Sequence, residues 1–301
     1  MDVRSSGSAK EEFLLRRLDK PEEFRAAEEL AAATPEGASA AETPVAFQRT
    51  IQDNGGLVLG AFADIYLAGF SLGFLGWDGA TLYLYNQITA VRPEYQNHHV
   101  GRQLMLRQRE EILAAGLGEI RWTFDPLGSH PAMLGVRRLG ATPDRYLAHY
   151  YGRGKGTTES APPSDRLRAV WKLNDPKVVD RVSGRSPSRE QDLAAWRSTK
   201  PVVETEVGEV GLRRPVSVEE PTEPRVHLEI PFDFALFQEH DPDAIRTWRS
   251  AVRDAFRATL DLGYTVDDFA VVSAEHERRS FYFLSAPPRS TTPPSGATAS
   301  R

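Results

Sequence analysis

The stretch Val91-Arg92-Pro93-Glu94-Tyr95-Gln96-Asn97-His98-His99-Val100-Gly101-Arg102-Gln103-Leu104 holds the residues best suited to chemistry. An apolar run stops at Pro93, a short polar loop follows, and a helical pattern begins near His98. The first amides of a helix have no partner within it and sit at the positive end of its dipole. They attract an anion such as phosphate, or are satisfied by water. Gly101 permits close approach to the backbone, and Arg102 can add a charge-assisted contact to a phosphate. Every strand–turn–helix offers such amides, so the local pattern leaves phosphate and water both open.

The elements around this loop follow from periodicity and turn chemistry. Pro21-Glu22-Glu23 opens a first helix, supported by Phe24 and Leu30 and ended by Thr34-Pro35-Glu36-Gly37. Strands are predicted over 57–62, 66–75 and 82–91, with turns at Asp64 and Gly76-Trp77-Asp78-Gly79. The helix from His98 runs to about Ala115 and is capped by Gly116 and Gly118. Ile120, Trp122 and Phe124 alternate with Arg121 and Thr123, which predicts a strand over 119–124. A helix over 132–139 and an aromatic strand over 145–151 complete the set. This order predicts an α/β (α+β) fold, a mixed sheet flanked by helices. Further along, a strand over 226–230, a helix over 241–262 capped by Asp241 and Pro242, and strands over 264–272 and 280–284 predict a C-terminal β-α-β lobe. That lobe repeats the strand–helix–strand order of 82–124 and so raises the idea of a degenerate second copy. The expected organisation is a flexible tail over 1–10, a first domain over 11–153, a linker over 154–164, the lobe over 165–285 and a disordered tail over 286–301.

Composition narrows the function. The chain has 301 residues, 40% of them hydrophobic, enough for a sizeable core. A net charge of -5 and the lack of a Lys/Arg stripe argue against nucleic acid. With no cysteine, disulfides, zinc–thiolate sites and a thiol nucleophile are excluded, and a reducing cytoplasm fits. The first residues carry no apolar signal core, and 57–75 is too interrupted by glycines and Asp64 to span a membrane.

The run "AVRPEYQNHHVGRQLMLRQRE" resembles the acyl-CoA-binding motif of the GNAT superfamily of N-acyltransferases, matching at Gln96, Val100 and Gly101. A second run, "LGEIRWTFDPLGSHPAMLGVRRLGATPDRYLAHYYG", resembles a GNAT subfamily with a Trp-Thr-Phe-Asp-Pro-Leu signature. It keeps register at Trp122 to Leu127, Leu139, Gly140, Ala141 and Gly152. "SDRLRAVWKL" and the helix from Trp248 to Gly263 resemble that subfamily's second half, so the likeness extends over about 12–285. It implies a splayed central sheet and acyl-CoA as cosubstrate, acetyl-CoA or succinyl-CoA, without a metal. The acceptor is an amine of a small molecule, and a homodimer is possible. Pantetheine pairs with the strand end Thr89-Ala90-Val91, and Gln96, Asn97, His98, His99, Val100, Gly101 and Arg102 hold the diphosphate.

On the same resemblance the amine attacks the thioester directly, so catalysis is mainly positioning and proton removal. Candidate proton-handling groups are Asp125, Tyr146, Tyr85 and His149. The residues by themselves favour Asp125 as an Asp-Pro turn residue and Tyr146 as an amphipathic sheet residue. Tyr85 and Gln87 are the expected substrate-binding residues. Gln87 cannot be a base, but its amide can bond a carbonyl or carboxylate. Several positions depart from the family, Asn86, Met133 and Gly135 among them. Gln87 and Pro131 replace common polar residues, His99 replaces a glycine, and Val136 lies where the superfamily often has an acidic tyrosine. They leave open a catalytically weakened scaffold that binds CoA or another small ligand. Gly69-Phe70-Ser71-Leu72-Gly73 matches a nucleophile elbow, yet no helix follows it, so Ser71 reads as a strand residue. His240 and His276 lack metal-ligand spacing.

Overall fold

Alternating apolar residues and tight turns build a sheet of seven strands. They are β1 (Leu14–Arg17), β2 (Leu57–Ala63), β3 (Tyr66–Trp77), β4 (Leu82–Val91), β5 (Glu119–Phe124), β6 (Thr142–Leu147) and β7 (Arg166–Lys172). The computed structural model describes residues 12–33, 43–152, 164–208, 211–274 and 277–288. The order across the sheet is β1-β2-β3-β4-β5-β7-β6. The β4–β5 pair is parallel and every other neighbouring pair is antiparallel. Parallel neighbours need a crossover, and the helix between β4 and β5 supplies it.

Helices cover both faces. Helices α1 (Pro21–Ala32) and α2 (Val45–Asp53) bury Phe24, Leu30 and Ile51 against Val58, Phe70 and Ile88. On the other face, α3 (Val100–Ala114) sets Val100 and Leu104 against Leu59 and Ala68, and Met105 and Ile112 in the cluster of Leu84 and Ile120. After β5 comes a short helix, α4 (Ser129–Ala132), that widens into a π-helical turn, Met133–Arg138. The mixed, helix-flanked sheet is the fold class expected from the residues.

A second sheet follows, in the order β12-β13-β11-β8, with β8 (Lys200–Pro201), β11 (Arg225–Ile230), β12 (Thr265–Ala274) and β13 (Glu277–Ser285). A ribbon of β9 (Val203–Val207) and β10 (Arg213–Val218) lies beside it. Helices α5 (Pro176–Val182), α6 (Arg189–Ser198), α7 (Phe234–His240) and α8 (Pro242–Asp261) complete the chain. Asp241 caps α8 by accepting from the Ala244 amide, and Gly263 turns the chain out at φ 80°. Trp248, Val252 and Phe256 of α8 enter the same core as Trp122, Leu139 and Trp171, so one apolar core joins the two sheets. Burial of this kind stabilises by roughly 1.5–3 kcal/mol per large side chain.

Several expectations shift. The helix expected over 132–139 is divided between α4 and the π turn. The strand expected over 145–151 starts earlier and ends at Leu147, and residues 148–151 turn instead, with His149 at φ 53°. Residues 166–172, assigned from sequence to the C-terminal lobe, form β7 inside the first sheet, because Leu167, Ala169 and Trp171 complete the face that β5 leaves open. Strands β11 and β12 are separated by β13, whereas β4 and β5 are adjacent. The tail over 1–10, residues 289–301 of the expected C-terminal tail and most of the linker lie outside the described residues, whereas Ala286, assigned to that tail, donates its amide to the Pro224 carbonyl (2.8 Å). Among the described residues, no helix is long and apolar enough to cross a membrane.

Candidate active site

The site is made by a misfit between β4 and its neighbours. Leu72 pairs with Ile88 and Gly73 with Asn86, so Gln87 is the extra residue of a bulge. The bulge reverses the alternation of side chains. Asn86 accepts from Gln108 of α3 (3.1 Å), and Thr89, three residues on, contacts Met105 of the same helix. Ile88 and Ala90 instead join the core of α1 and α2. A regular strand could not point both 86 and 89 to one side.

Past the bulge, β4 parts from β5. The two strands pair only through Leu84 with Ile120 and Tyr85 with Arg121. Thr89, Ala90 and Val91 keep their partners on β3, and their other edge is free of β5. Trp122, Thr123 and Phe124 pair with β7 on their other edge only. A cavity of about 180 Å³ occupies the gap, lined by Gln87, Thr89, Met105, Trp122, Thr123 and Leu134 among others. A Cβ on Gly135 would come within 2.9 Å of the Trp122 ring, so glycine lets the π turn close over that wall.

At the far end of β4, a 3-10 turn (Pro93–Tyr95) leads into the loop before α3. Asn97 and His99 both adopt left-handed backbone, φ 67° and 63°. Glycine is the residue that takes this conformation without cost, so Asn97 and His99 stand at positions that suit glycine better. His99 is the N-cap of α3, and its side chain makes no bond to the first-turn amides of Val100, Gly101 and Arg102. A Cβ on Gly101 would meet only ordinary contacts, at 3.8 and 3.9 Å.

Two arginines flank that helix start. Arg102 Nη2 donates to the Val182 carbonyl at the end of α5 (2.7 Å). Arg138, on the π turn, lies with Nη1 3.2 Å from His99 Nδ1. Burial, and then the like charge of Arg138, pull the Arg102 guanidinium below its usual range. Neither arginine has a carboxylate partner among the described residues. Gln96 spends its side-chain amide on the Val91 carbonyl (3.3 Å). Sequence reading missed Arg138, since its approach to His99 depends on how the π turn packs and not on spacing.

The proton-handling candidates fare differently. Asp125 borders the cavity, but both of its oxygens are held by Arg249 of α8 (2.6 and 2.9 Å), and one also accepts the Leu127 amide (2.9 Å). It is the turn and clamp residue rather than an available base. Tyr146 does not line the cavity. Its hydroxyl donates to Asp165 (2.7 Å), and burial, with that carboxylate, pushes it far above the usual phenol range. The His149 backbone amide donates to the same Asp165 (2.9 Å), and Arg253 does so twice. Asp165 is fully buried, which alone would raise it, yet these donors hold it below the usual range. Tyr85, expected to bind substrate, does not line the cavity; it pairs with Arg121 before the strands part, and its ring packs on Phe74, on the sheet face away from α3. Its hydroxyl is 3.2 Å from Thr123 Oγ1, which is 3.4 Å from the Tyr151 hydroxyl. Burial pushes Tyr85 well up, so it is a neutral hydrogen-bonding group and not a base. Among the described residues, no three His, Asp or Glu side chains gather as a metal site.

No family model and no curated protein matches the chain. Solved structures with a similar course of the chain include an N-acetyltransferase from Staphylococcus aureus Mu50, 14% identical over 54% of this chain and 99% of its own, TM-score 0.44. A NatC complex bound to Gag peptide and CoA gives 15% identity over 54% of this chain and 99% of its own, TM-score 0.43. An N-acyl amino acid synthase from uncultured soil microbes gives 15% over 54% and 92%, TM-score 0.42. Likeness at this level says nothing about the reaction. The geometry itself defines a mixed sheet parted between two parallel strands, with an uncapped helix start and two arginines behind the gap.

Proposed function

We propose that the chain is a cytoplasmic acyl-CoA-dependent N-acyltransferase of the GNAT superfamily, moving an acetyl or succinyl group onto the amine of a small molecule. The observation that carries this reading is the parting of β4 from β5 after two residue pairs, with a cavity in the gap. We read 11–153, together with β7, as the acyltransferase domain and the remainder of 165–285 as a lobe that braces it.

The residues present fit acyl-CoA on three counts. The edge of Thr89-Ala90-Val91 that β5 leaves free offers backbone groups to the amides of a pantetheine arm, although the Val91 carbonyl already accepts from Gln96. The amides of Val100, Gly101 and Arg102 point out of a positive helix end, where a diphosphate is favoured. Arg102 and Arg138 repel each other there, and an anion between them relieves that repulsion. Arg102 keeps further donors after bonding Val182, because a guanidinium carries five.

Acyl-CoA supplies a thioester. The amine lone pair forms the new N–C bond, the C–S bond breaks with its electrons left on sulfur, and the proton lost by nitrogen completes the thiol. The protein's part is to hold and orient. Bulging at Gln87 frees backbone groups beside the reacting carbon, where an N–H can polarise the carbonyl. Trp122, Phe124 and Leu134 exclude water from that wall. With Asp125 clamped, the departing proton passes to water near Thr123 Oγ1, on the Tyr85 side of the gap.

Calorimetry with acetyl-CoA and succinyl-CoA, followed by thiol release with an amine panel, tests the reading. Binding at millimolar affinity or tighter together with turnover is expected. No binding by either thioester defeats it. Binding without thiol release across the panel supports the alternative of a weakened, CoA-binding scaffold, which the clamped state of Asp125 and Tyr146 favours.

A further inference from the structure

The bed proposed for acyl-CoA at the start of α3 leaves the opposite sheet face to the acceptor. On that face the cavity ends at Thr123, Tyr151 and Arg166. Thr123 meets Tyr85 there, because Trp122 and Phe124 on either side of it enter the core. Tyr151 and its neighbour Tyr150 are exposed, and their rings meet edge to face with centroids 4.8 Å apart. The Arg166 guanidinium lies over the Tyr151 ring, 5.0 Å from its centre.

An ammonium is received best by a carboxylate, and among the described residues the acids around this mouth are already held. Arg249 holds Asp125, Arg253 holds the buried Asp165, Arg168 holds Asp144, and Arg121 holds Asp78 and Glu119. Arg166 adds a positive charge at the lip. An alkylammonium entering here loses hydration and meets the repulsion of that guanidinium. No base stands ready to strip its proton. Asp125 is clamped, the Tyr146 hydroxyl donates to Asp165, and burial keeps Tyr85 neutral. An alkylamine of pKa about 10 is only about one part in a thousand neutral at pH 7, so this mouth would draw on a scarce form of it.

We propose that the acceptor is a weakly basic aromatic amine, unprotonated at neutral pH, whose ring lies against Tyr151. This rests on the acyltransferase reading above. An aniline nitrogen shares its lone pair with its ring, so the molecule arrives uncharged and with a flat apolar body. Aromatic rings pack offset or edge to face on one another, and a guanidinium plane stacks on them as well. The neutral nitrogen forms the N–C bond, and the C–S bond breaks with its electrons left on sulfur. The proton of the nitrogen then passes through water to the thiolate. An aniline nitrogen made positive by acyl addition is a strong acid, so water beside Thr123 suffices to take that proton.

The test reads thiol release by the full-length protein from acetyl-CoA and succinyl-CoA, with anilines, benzylamines and cyclohexylamines, between pH 6 and 9. At pH 7 the anilines should exceed both alkylamine classes by at least about tenfold in kcat/KM, with a flat pH profile, while the alkylamines climb about tenfold per pH unit. Tyr151→Leu should raise the KM for anilines about 2- to 12-fold with kcat little changed, the scale of one aromatic pair, and Tyr151→Phe should keep most of the affinity. Calorimetry of each variant with CoA checks that it is folded and loaded. Alkylamines used at pH 7 as well as anilines overturn the proposal, and so does an unchanged aniline KM in Tyr151→Leu. Either result leaves the acyltransferase reading standing. CoA binding without thiol release from any of the three classes overturns the proposal too and supports the scaffold alternative. A failure of the wild type to bind CoA removes both.

Discussion

Asp125, the residue after β5, and Arg249, midway along α8, face each other through two hydrogen bonds of 2.6 and 2.9 Å. Arg249 is 4% exposed, so its charge depends on that partner. The pair ties the C-terminal end of β5, one wall of the gap, to the longest helix of the second half.

Asp125→Asn should act on stability first. Breaking a fully buried pair costs about 3–5 kcal/mol, and with the Asp125 side chain 34% exposed a loss of about 1–3 kcal/mol is expected. Urea unfolding measures it. A general base lost at this position would instead lower kcat by about 10²-fold or more at unchanged stability, and that result would contradict the clamp.

Tyr146→Phe removes one donor from the buried Asp165 while Arg253 and the His149 amide remain. The expected loss is about 1–2 kcal/mol of stability with turnover almost unchanged. A large drop in kcat with the melting temperature intact would restore Tyr146 as an acid.

Gly101→Glu should move stability and ligand affinity in opposite directions. The new side chain meets only ordinary contacts, and a carboxylate in the first turn of α3 favours the helix by about 0.3–1 kcal/mol. The same charge occupies the place proposed for a diphosphate, so CoA affinity should fall at least about tenfold, or about 1.4 kcal/mol. Melting curves and calorimetry on one sample read both. Unchanged CoA affinity would place the diphosphate elsewhere.

His227 should make stability depend on pH. Its Nδ1 lies 2.9 Å from Thr199 Oγ1, which donates its own proton to the Ala195 carbonyl, so Nδ1 carries the hydrogen. Burial, and then the charge of Arg279, lower the imidazole to about 4. The unfolded chain takes up this proton near pH 6.5, before the folded chain does. Stability from this group is therefore complete above pH 6.5 and is lost as pH falls to about 4, in total by about 3 kcal/mol. Unfolding of His227→Gln between pH 7 and 4.5 should show a flatter slope than the wild type. An identical slope would rule this out.

Local pattern carried a good part of the architecture. Alternation at Ile120, Trp122 and Phe124 marks β5 to the residue, and Pro93 marks the end of β4. The switch from period 2 to helical period near His98 locates the start of α3. Such signals survive in the linear chain because they arise from backbone geometry and the burial of one face. The splayed sheet was anticipated from resemblance, and the partial β4–β5 pairing accords with it. By contrast β1, β7, β8, β9, β10, α2, α5, α6 and α7 went unread, most of them short or half-exposed elements with weak periodicity.

By itself the sequence determined the mixed α/β class, the loop that opens α3, and the absence of thiol chemistry. Tertiary structure alone decided which of the polar residues remain available. Asp125 and Tyr146 look free in the chain, yet α8 brings Arg249 to the first, 124 residues away, and Arg253 to the Asp165 that the second bonds, 88 residues away. Likewise Arg138 comes to His99 by way of the π turn. The reason is physical: periodicity reports a residue's own backbone, whereas the partner of a charge is set by packing between segments far apart in the chain.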